Sequence, residues 1–301
     1  MSEVLEFLCP DRNTRLDIYI ASLGMELSRS RVQKLIKDGH ILVNAAFAKP
    51  SLKLQQNDKI NLTIPANVPS EIIPEDIPLT FVYDDPSIIV VDKPPGLTVH
   101  PARGHLTGTL VNALLSYYPE IASVGSEKRP GIVHRLDAGT SGLMVVARSE
   151  FAYQTLVKQI SRRELKKVYL ALVKGHPRVV NGFIDAPVGR HPGNRKQMSV
   201  ISTGRQALTE YRTLQRFKGF TLLEIRIETG RTHQIRVHMS AMGHSVAGDS
   251  QYGGRVSFLE RQFLHAHKLG IQHPVTGEYL EFASGLPADL TDVLSGLEPV
   301  P

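Results

Sequence analysis

The residues best able to do chemistry lie in one short stretch, Gly131 to Arg148 (GIVHRLDAGTSGLMVVAR). A strand-like apolar pair, Ile132 and Val133, runs into His134-Arg135-Leu136-Asp137. A turn-rich Ala138-Gly139-Thr140-Ser141-Gly142 follows, and then a second apolar run from Leu143 to Ala147. Two β-type segments around a Gly/Ser/Thr loop predict a hairpin or strand–loop–strand unit, with Asp137 at the mouth of the loop. Arg135, two residues earlier, would share its face if the strand continued through both. A carboxylate on a loop held by rigid strands can act as nucleophile or general base. The same Asp also suits a plain Asx turn opening a Gly-rich loop.

The chain has 301 residues, 42% of them hydrophobic, enough for one large or two ordinary domains with a sizeable core. That composition excludes global disorder. A formal charge of +6 favours a polyanionic partner. The single cysteine, Cys9, excludes an intramolecular disulfide framework and a multi-Cys metal site, and suits a reducing cytoplasm. MSEVLEFLCPDR lacks the basic and apolar regions of a signal peptide. No apolar run approaches the roughly 20 residues of a membrane span. The expectation is a cytoplasmic, monomeric protein with no membrane partner.

Residues 12–65 form a basic unit, with nine Lys or Arg against four Asp or Glu up to residue 64. Ser28 is a fitting N-cap for a helix RSRVQKLIKDG that Gly39 ends. Val32, Leu35 and Ile36 then point inward, leaving Arg29, Arg31, Lys34 and Lys37 to solvent. HILVN and DKINLTI read as short strands. The arrangement resembles an alpha-L RNA-binding domain, the type named for a small-subunit ribosomal protein. Residues 66–78 are Pro-rich and read as a semi-extended linker. From Leu79 to about residue 290, short strands dominate, with helices at TLVNALLSYY and EFAYQTLVKQI. This pattern predicts an α+β domain built on a mixed, largely antiparallel sheet. Residues 291–301 read as a frayed tail.

Four segments in fixed order give the chain a more specific likeness: KPPGLTVHPARG (93–104), HRLDAGTSGLMVVA (134–147), KKVYLALVKG (166–175) and ETGRTHQIRVHMSAMGH (228–244). Together they resemble the pseudouridine synthases that modify large-subunit ribosomal RNA. NALLSYYP (112–119) and GRHP (189–192) narrow the likeness within that branch, and it extends over about residues 12 to 285. One departure is visible. The family usually has a basic and an acidic residue directly after the Asp, where this chain has Ala138 and Gly139.

The resemblance implies an isomerase that moves uracil from its N1 to its C5 linkage on the ribose. Nothing is oxidised and no group is donated, so it implies no cofactor and no metal. The chemistry needs one ionised carboxylate near the sugar, to attack the anomeric carbon or to take a neighbouring proton, and Asp137 is the candidate. A buried carboxylate needs a cation to stay ionised. Spacing leaves Arg236 and Arg231 both open; the motif likeness favours Arg236. Tyr169 is implied as a ring stacked on uracil, although core packing beside Ala171 and Val173 is an equally simple use of its strand. Arg135 is implied to fill the stack vacated by an extruded base. His134, Thr140, Ser141, Arg231, His233, Gln234, Lys93 and His100 are candidate RNA contacts.

The pairs His233/His238 and His265/His267, with His244, offer nitrogen donors for a metal. No HExxH and no Cys pair accompanies them. Neither a phosphate-binding GxxxxGK[ST] loop nor a dinucleotide GxGxxG after a strand is present. A binding-only ribosome-assembly factor would lack turnover, and an RNA hydrolase would cut the strand.

Overall fold

The computed structural model describes residues 3–10, 12–25, 27, 29–64, 72–101, 107–194 and 196–300. In the N-terminal segment, β1 (Glu3–Leu8), β2 (Ile41–Val43), β3 (Ala46–Phe47) and β4 (Lys59–Ile64) form an antiparallel sheet in the order β1-β4-β2-β3. Helices α1 (Leu16–Ser22) and α2 (Arg29–Lys37) complete the unit. Val32, Leu35 and Ile36 of α2 point into the core beside Leu16, Ile20 and Ile60. Gly39, at φ +79, ends α2 by letting His40 N–H donate back to Leu35. The expected cap Ser28 and the side chain of Arg31 lie outside the described residues. β1 precedes the expected start at residue 12.

The C-terminal part comprises β5 (Thr80–Asp84), β6 (Ile88–Lys93), α3 (Leu110–Tyr117), β7 (Gly125–Ser126), β8 (Arg129–Pro130), β9 (Ser141–Ala147) and α4 (Glu150–Ser161). Then come β10 (Lys166–Lys174), β11 (Asn181–Asp185), β12 (Val188–Arg190), β13 (Met198–Val200), β14 (Leu208–Phe217) and β15 (Phe220–Ile227). The chain finishes with α5 (Gln234–Ala241), β16 (Leu264–Gln272), β17 (Tyr279–Ala283), α6 (Ala288–Ser295) and β18 (Pro299–Val300). Ten strands share one sheet along the path β11-β14-β15-β10-β16-β9-β6-β5, with β17 on β16 and β18 on β14. Among the described strands of this sheet only the β9–β16 pair is parallel, so the sheet is mixed and largely antiparallel.

Burial on both faces explains the unbroken apolar runs at its centre. Met144 and Val146 of β9 face the core shared with α3, α5 and α6, while Leu143, Val145 and Ala147 face the core shared with α4. α3 is started by Thr109 and Asn112, which cap each other's backbone N–H. Asn112 also donates to Ile73 O and accepts from Glu75 N–H, so residues 72–78 of the expected linker are docked rather than free.

Two expectations fail. Ile132–Asp137 is not a strand; only Ile132 makes a single bridge, to Val146. The His134 ring accepts the Val145 N–H (3.1 Å) and so occupies the ladder position a hairpin partner would fill. Nor is the C-terminus frayed. Leu290 of α6 is fully buried, Val293, Leu294 and Leu297 pack on the same core, and β18 pairs with β14. Among the described residues no helix is long and apolar enough to cross a membrane.

Candidate active site

Asp137 sits where the irregular segment 131–137 meets β9, and the backbone there is clamped from three sides. Lys93, at the end of β6, donates Nζ–H to the carbonyls of Pro94, Leu97 and Ala138. Arg261 donates to Gly139 O while its guanidinium pairs with Asp289 of α6. Gln262 donates to the Thr140 hydroxyl (3.1 Å). The loop comes so close to Gln262 that a Cβ on Gly139 would lie 2.5 Å from its amide oxygen. Gly139 thus lies directly against the Gln262 side chain. Gly142 is needed for a similar reason: at φ +110, a Cβ would meet the Ala266 backbone at 2.4 Å where β9 and β16 pair.

The cation for Asp137 comes from α5. Its first turn is fixed by Gln234, whose side chain accepts from Arg231 N–H and Thr229 O–H and donates to Leu208 O and Thr209 Oγ1. His233, the residue before α5, holds a left-handed backbone at φ 56, a strain of ~1–3 kcal/mol that clusters at functional sites. Arg236 then donates Nη1–H to Asp137 Oδ2 at 2.8 Å. Arg231 does not pair with Asp137; its Nε donates to Gln206 O.

Arg236 is itself 7% exposed and gripped by Asp249, Nε to Oδ2 at 2.6 Å and Nη2 to Oδ1 at 3.0 Å. Gln251 Oε1 accepts a further Nη2–H at 2.9 Å, and the Tyr252 ring lies 5.0 Å from the guanidinium carbon. Burial opposes the Arg236 charge, but the Asp249 hydrogen bonds and both carboxylates outweigh it and raise its pKa. The guanidinium is thus a fixed cation.

His233 Nε2 is 3.8 Å from Asp137 Oδ2. Its Nδ1 faces Tyr252 Oη (2.8 Å), which already accepts the Met198 N–H. A neutral His233 ring that accepts the tyrosine proton at Nδ1 carries its own proton on Nε2, towards Asp137. Burial lowers the His233 pKa, consistent with that neutral ring. Tyr169 is 7% exposed on β10, and its hydroxyl has no hydrogen-bond partner among the described residues. Burial first and the Asp137 charge second raise its pKa, so it stays protonated.

Asp137, Arg236, Tyr169, Arg135, Arg231, His233, Gln234, His134, His100 and Thr140 all line one cleft of about 510 Å³. Arg135 is exposed at this cleft. Several candidate RNA contacts prove to be committed elsewhere. Lys93 is fully buried on its three carbonyls. Burial, with Arg261 nearby, pushes its pKa down to about 7. Ser141 is buried against His265 Nδ1 (3.0 Å), and Thr140 and Gln234 are buried in the bonds already given. His134 serves the Val145 N–H, and burial holds its pKa down at about 3. His100 is 5% exposed, with Nδ1 unpartnered among the described residues. In the N-terminal unit, Arg29 reaches buried Asp17 (2.9 Å), which Arg15 and Gln33 also hold. Lys34 pairs with Glu127 of the C-terminal part and is not free for RNA in this arrangement.

Sequence reasoning missed Asp249, Gln251, Tyr252, Arg261 and Gln262. Asp249 follows a short loop after α5 in AGDSQYGG, where only a Gly-flanked acid marks it. Among the described residues no three His, Cys, Asp or Glu side chains converge as a metal-binding group.

The RNA pseudouridylate synthase family model matches residues 87–241, and an S4 domain model matches residues 14–60. An uncharacterized RNA pseudouridine synthase of Bacillus subtilis, YlyB, is 42% identical, with 95% of each chain covered. Ribosomal large subunit pseudouridine synthase D of Pseudomonas aeruginosa is 43% identical over 93% of this chain and 91% of its own. The solved structure of human RNA pseudouridylate synthase domain containing 1 superposes with a TM-score of 0.61 at 28% identity, covering 74% of this chain and 89% of that one.

Proposed function

Because the chain belongs to the RNA pseudouridylate synthase family, we propose that it isomerises specific uridines of large-subunit (23S) ribosomal RNA, with Asp137 as the reacting carboxylate. The observation that carries this reading is the Arg236–Asp137 contact of 2.8 Å inside the cleft. The fixed guanidinium holds Asp137 Oδ2 in place within the cleft, and both routes to the sugar start from a carboxylate so positioned.

The target base leaves its stack and enters the cleft, at a cost of a few kcal/mol. Arg135, exposed two residues before the acid, fills the vacated place. Tyr169 lies under the uracil as a flat, largely buried surface. The N1–C1′ bond breaks, the uracil turns, and C5 bonds to C1′. The C5 proton goes to solvent and N1 gains one, so substrate and product have the same composition. Asp137 attacks C1′ or removes the neighbouring sugar proton; each route returns the carboxylate unchanged.

The basic residues 12–65 supply electrostatic docking to the ribosomal RNA, residues 79–290 the catalysis, and the enzyme acts as a cytoplasmic monomer. Tritium release from a large-subunit ribosomal RNA transcript carrying uridine tritiated at C5 tests the reaction. Wild type should release tritium and Asp137→Asn should not, while both bind the transcript equally. Loss of binding with retained turnover would overturn the assignment, as would strand scission instead of release.

A further inference from the structure

One cation of the cleft is not used by this mechanism. Lys167 on β10 lies two residues before Tyr169, so both side chains project from the same strand face, and both line the cleft. Lys167 is 8% exposed. A buried ammonium ordinarily has a carboxylate or several carbonyls around it. Lys93 has three carbonyls, but Lys167 has no hydrogen-bond or ion-pair acceptor among the described residues.

The acids nearby are taken. Asp137 is held by Arg236, and Glu228 stands 3.6 Å from Arg163. Gly230 faces the ammonium: a Cβ there would lie 4.0 Å from Lys167 Nζ. Arg231 follows that glycine and lines the same cleft. Lys167 and Arg231 thus line the same cleft with Gly230 beside them, and among the described residues no carboxylate pairs with Lys167.

We propose that Lys167, with Arg231, binds a phosphodiester oxygen of the RNA strand beside the extruded uridine. The proposal rests on the RNA substrate assigned above. Burial, and then the Arg231 charge, pull the Lys167 pKa down to about 8, the cost of holding two cations together until an anion arrives. Lys167 is thereby a substrate-binding residue that fixes the nucleotide's position.

The test uses full-length wild type, Lys167→Met and Lys167→Arg on the tritiated large-subunit transcript. Affinity is measured alongside turnover over about 50 to 200 mM salt. Lys167→Met should raise KM and weaken affinity about tenfold with kcat near wild type. The slope of log affinity against log salt should become shallower by about one. Lys167→Arg should recover most of the affinity. The Met variant should melt no lower than wild type, because it removes an unpaired buried charge.

Loss of kcat at unchanged KM and salt slope would overturn the proposal and assign Lys167 to the uracil. A lower melting point with an unchanged salt slope would overturn it in favour of a structural role. Wild type that binds this transcript without turnover would overturn the ribosomal target instead, and the Lys167 comparison would still be read from affinity.

Discussion

Asp249→Asn isolates the part of the site that no motif advertises. The substitution keeps the size of the side chain but removes the charge gripping Arg236 at 2.6 and 3.0 Å. Both partners are almost fully buried, at 7% and 2% exposure. Removing one partner of a buried pair costs about 3–5 kcal/mol. Asparagine keeps one oxygen for the Gln251 and Tyr252 N–H groups that Asp249 Oδ1 now accepts, so the lower end, about 3 kcal/mol, is expected. Urea unfolding reads that loss. The effect on catalysis follows from position rather than charge. A guanidinium released from Asp249 no longer presents Nη1 to Asp137 in a fixed direction, and a misplacement of about 1 Å costs roughly a hundredfold in rate. Single-turnover tritium release should therefore fall about a hundredfold with RNA affinity unchanged. Gln251→Ala, which removes one neutral acceptor 2.9 Å from Nη2, is the mild control, with about 1 kcal/mol of stability lost. A folded Asp249→Asn enzyme turning over at the wild-type rate would refute the view that Asp249 aims Arg236.

Three other outcomes are expected. Tyr169→Phe tests the hydroxyl, which has no hydrogen-bond partner among the described residues; wild-type turnover would confine Tyr169 to stacking, and a rate loss would give its O–H a part in proton movement. Deleting residues 1–65 should weaken RNA affinity and flatten its salt dependence, since phosphate contacts release counterions; an unchanged salt slope by filter binding would refute a docking role. His134 is held neutral in the fold, with a pKa of about 3 against 6.5 ordinarily, so the unfolded chain binds more protons between those values. Stability should therefore fall as pH drops from 6.5 towards 3, by up to about 1.4 kcal/mol per pH unit from this group. Melting points of wild type and His134→Gln over that range check it: the variant should lose part of the acid sensitivity, and equal slopes would refute the assignment.

Much of this architecture was legible because its signals are local. Alternating apolar residues mark β14 and β15, the helical spacing of TLVNALLSYY announces α3, and the Asp137 loop carries its own turn residues. The failures share a cause. His134 was read as part of a strand because its neighbours are apolar, yet its ring takes the hydrogen bond a strand would have made. Lys93, Thr140, Ser141 and Gln234 were read as RNA contacts because polar residues in a motif suggest a ligand. Their acceptors and donors are backbone and side chains distant in sequence, such as Ala138 O for Lys93 and Leu208 O for Gln234. Asp249 and Arg261 were missed for the same reason, since their partners are set by the closing of the sheet. The tail was read as frayed although Leu290, Leu294 and Leu297 already carry helical spacing. Arg236 over Arg231 was decided by likeness and is now visible as a contact.

The central claim is tested most directly by carbodiimide mapping of pseudouridine in ribosomal RNA from cells with and without this gene, complemented by wild type or by Asp137→Asn. Signals in the large-subunit RNA that vanish on deletion, and return with wild type but not with Asp137→Asn, are the result this account predicts. An unchanged map, or full restoration by Asp137→Asn, would contradict it.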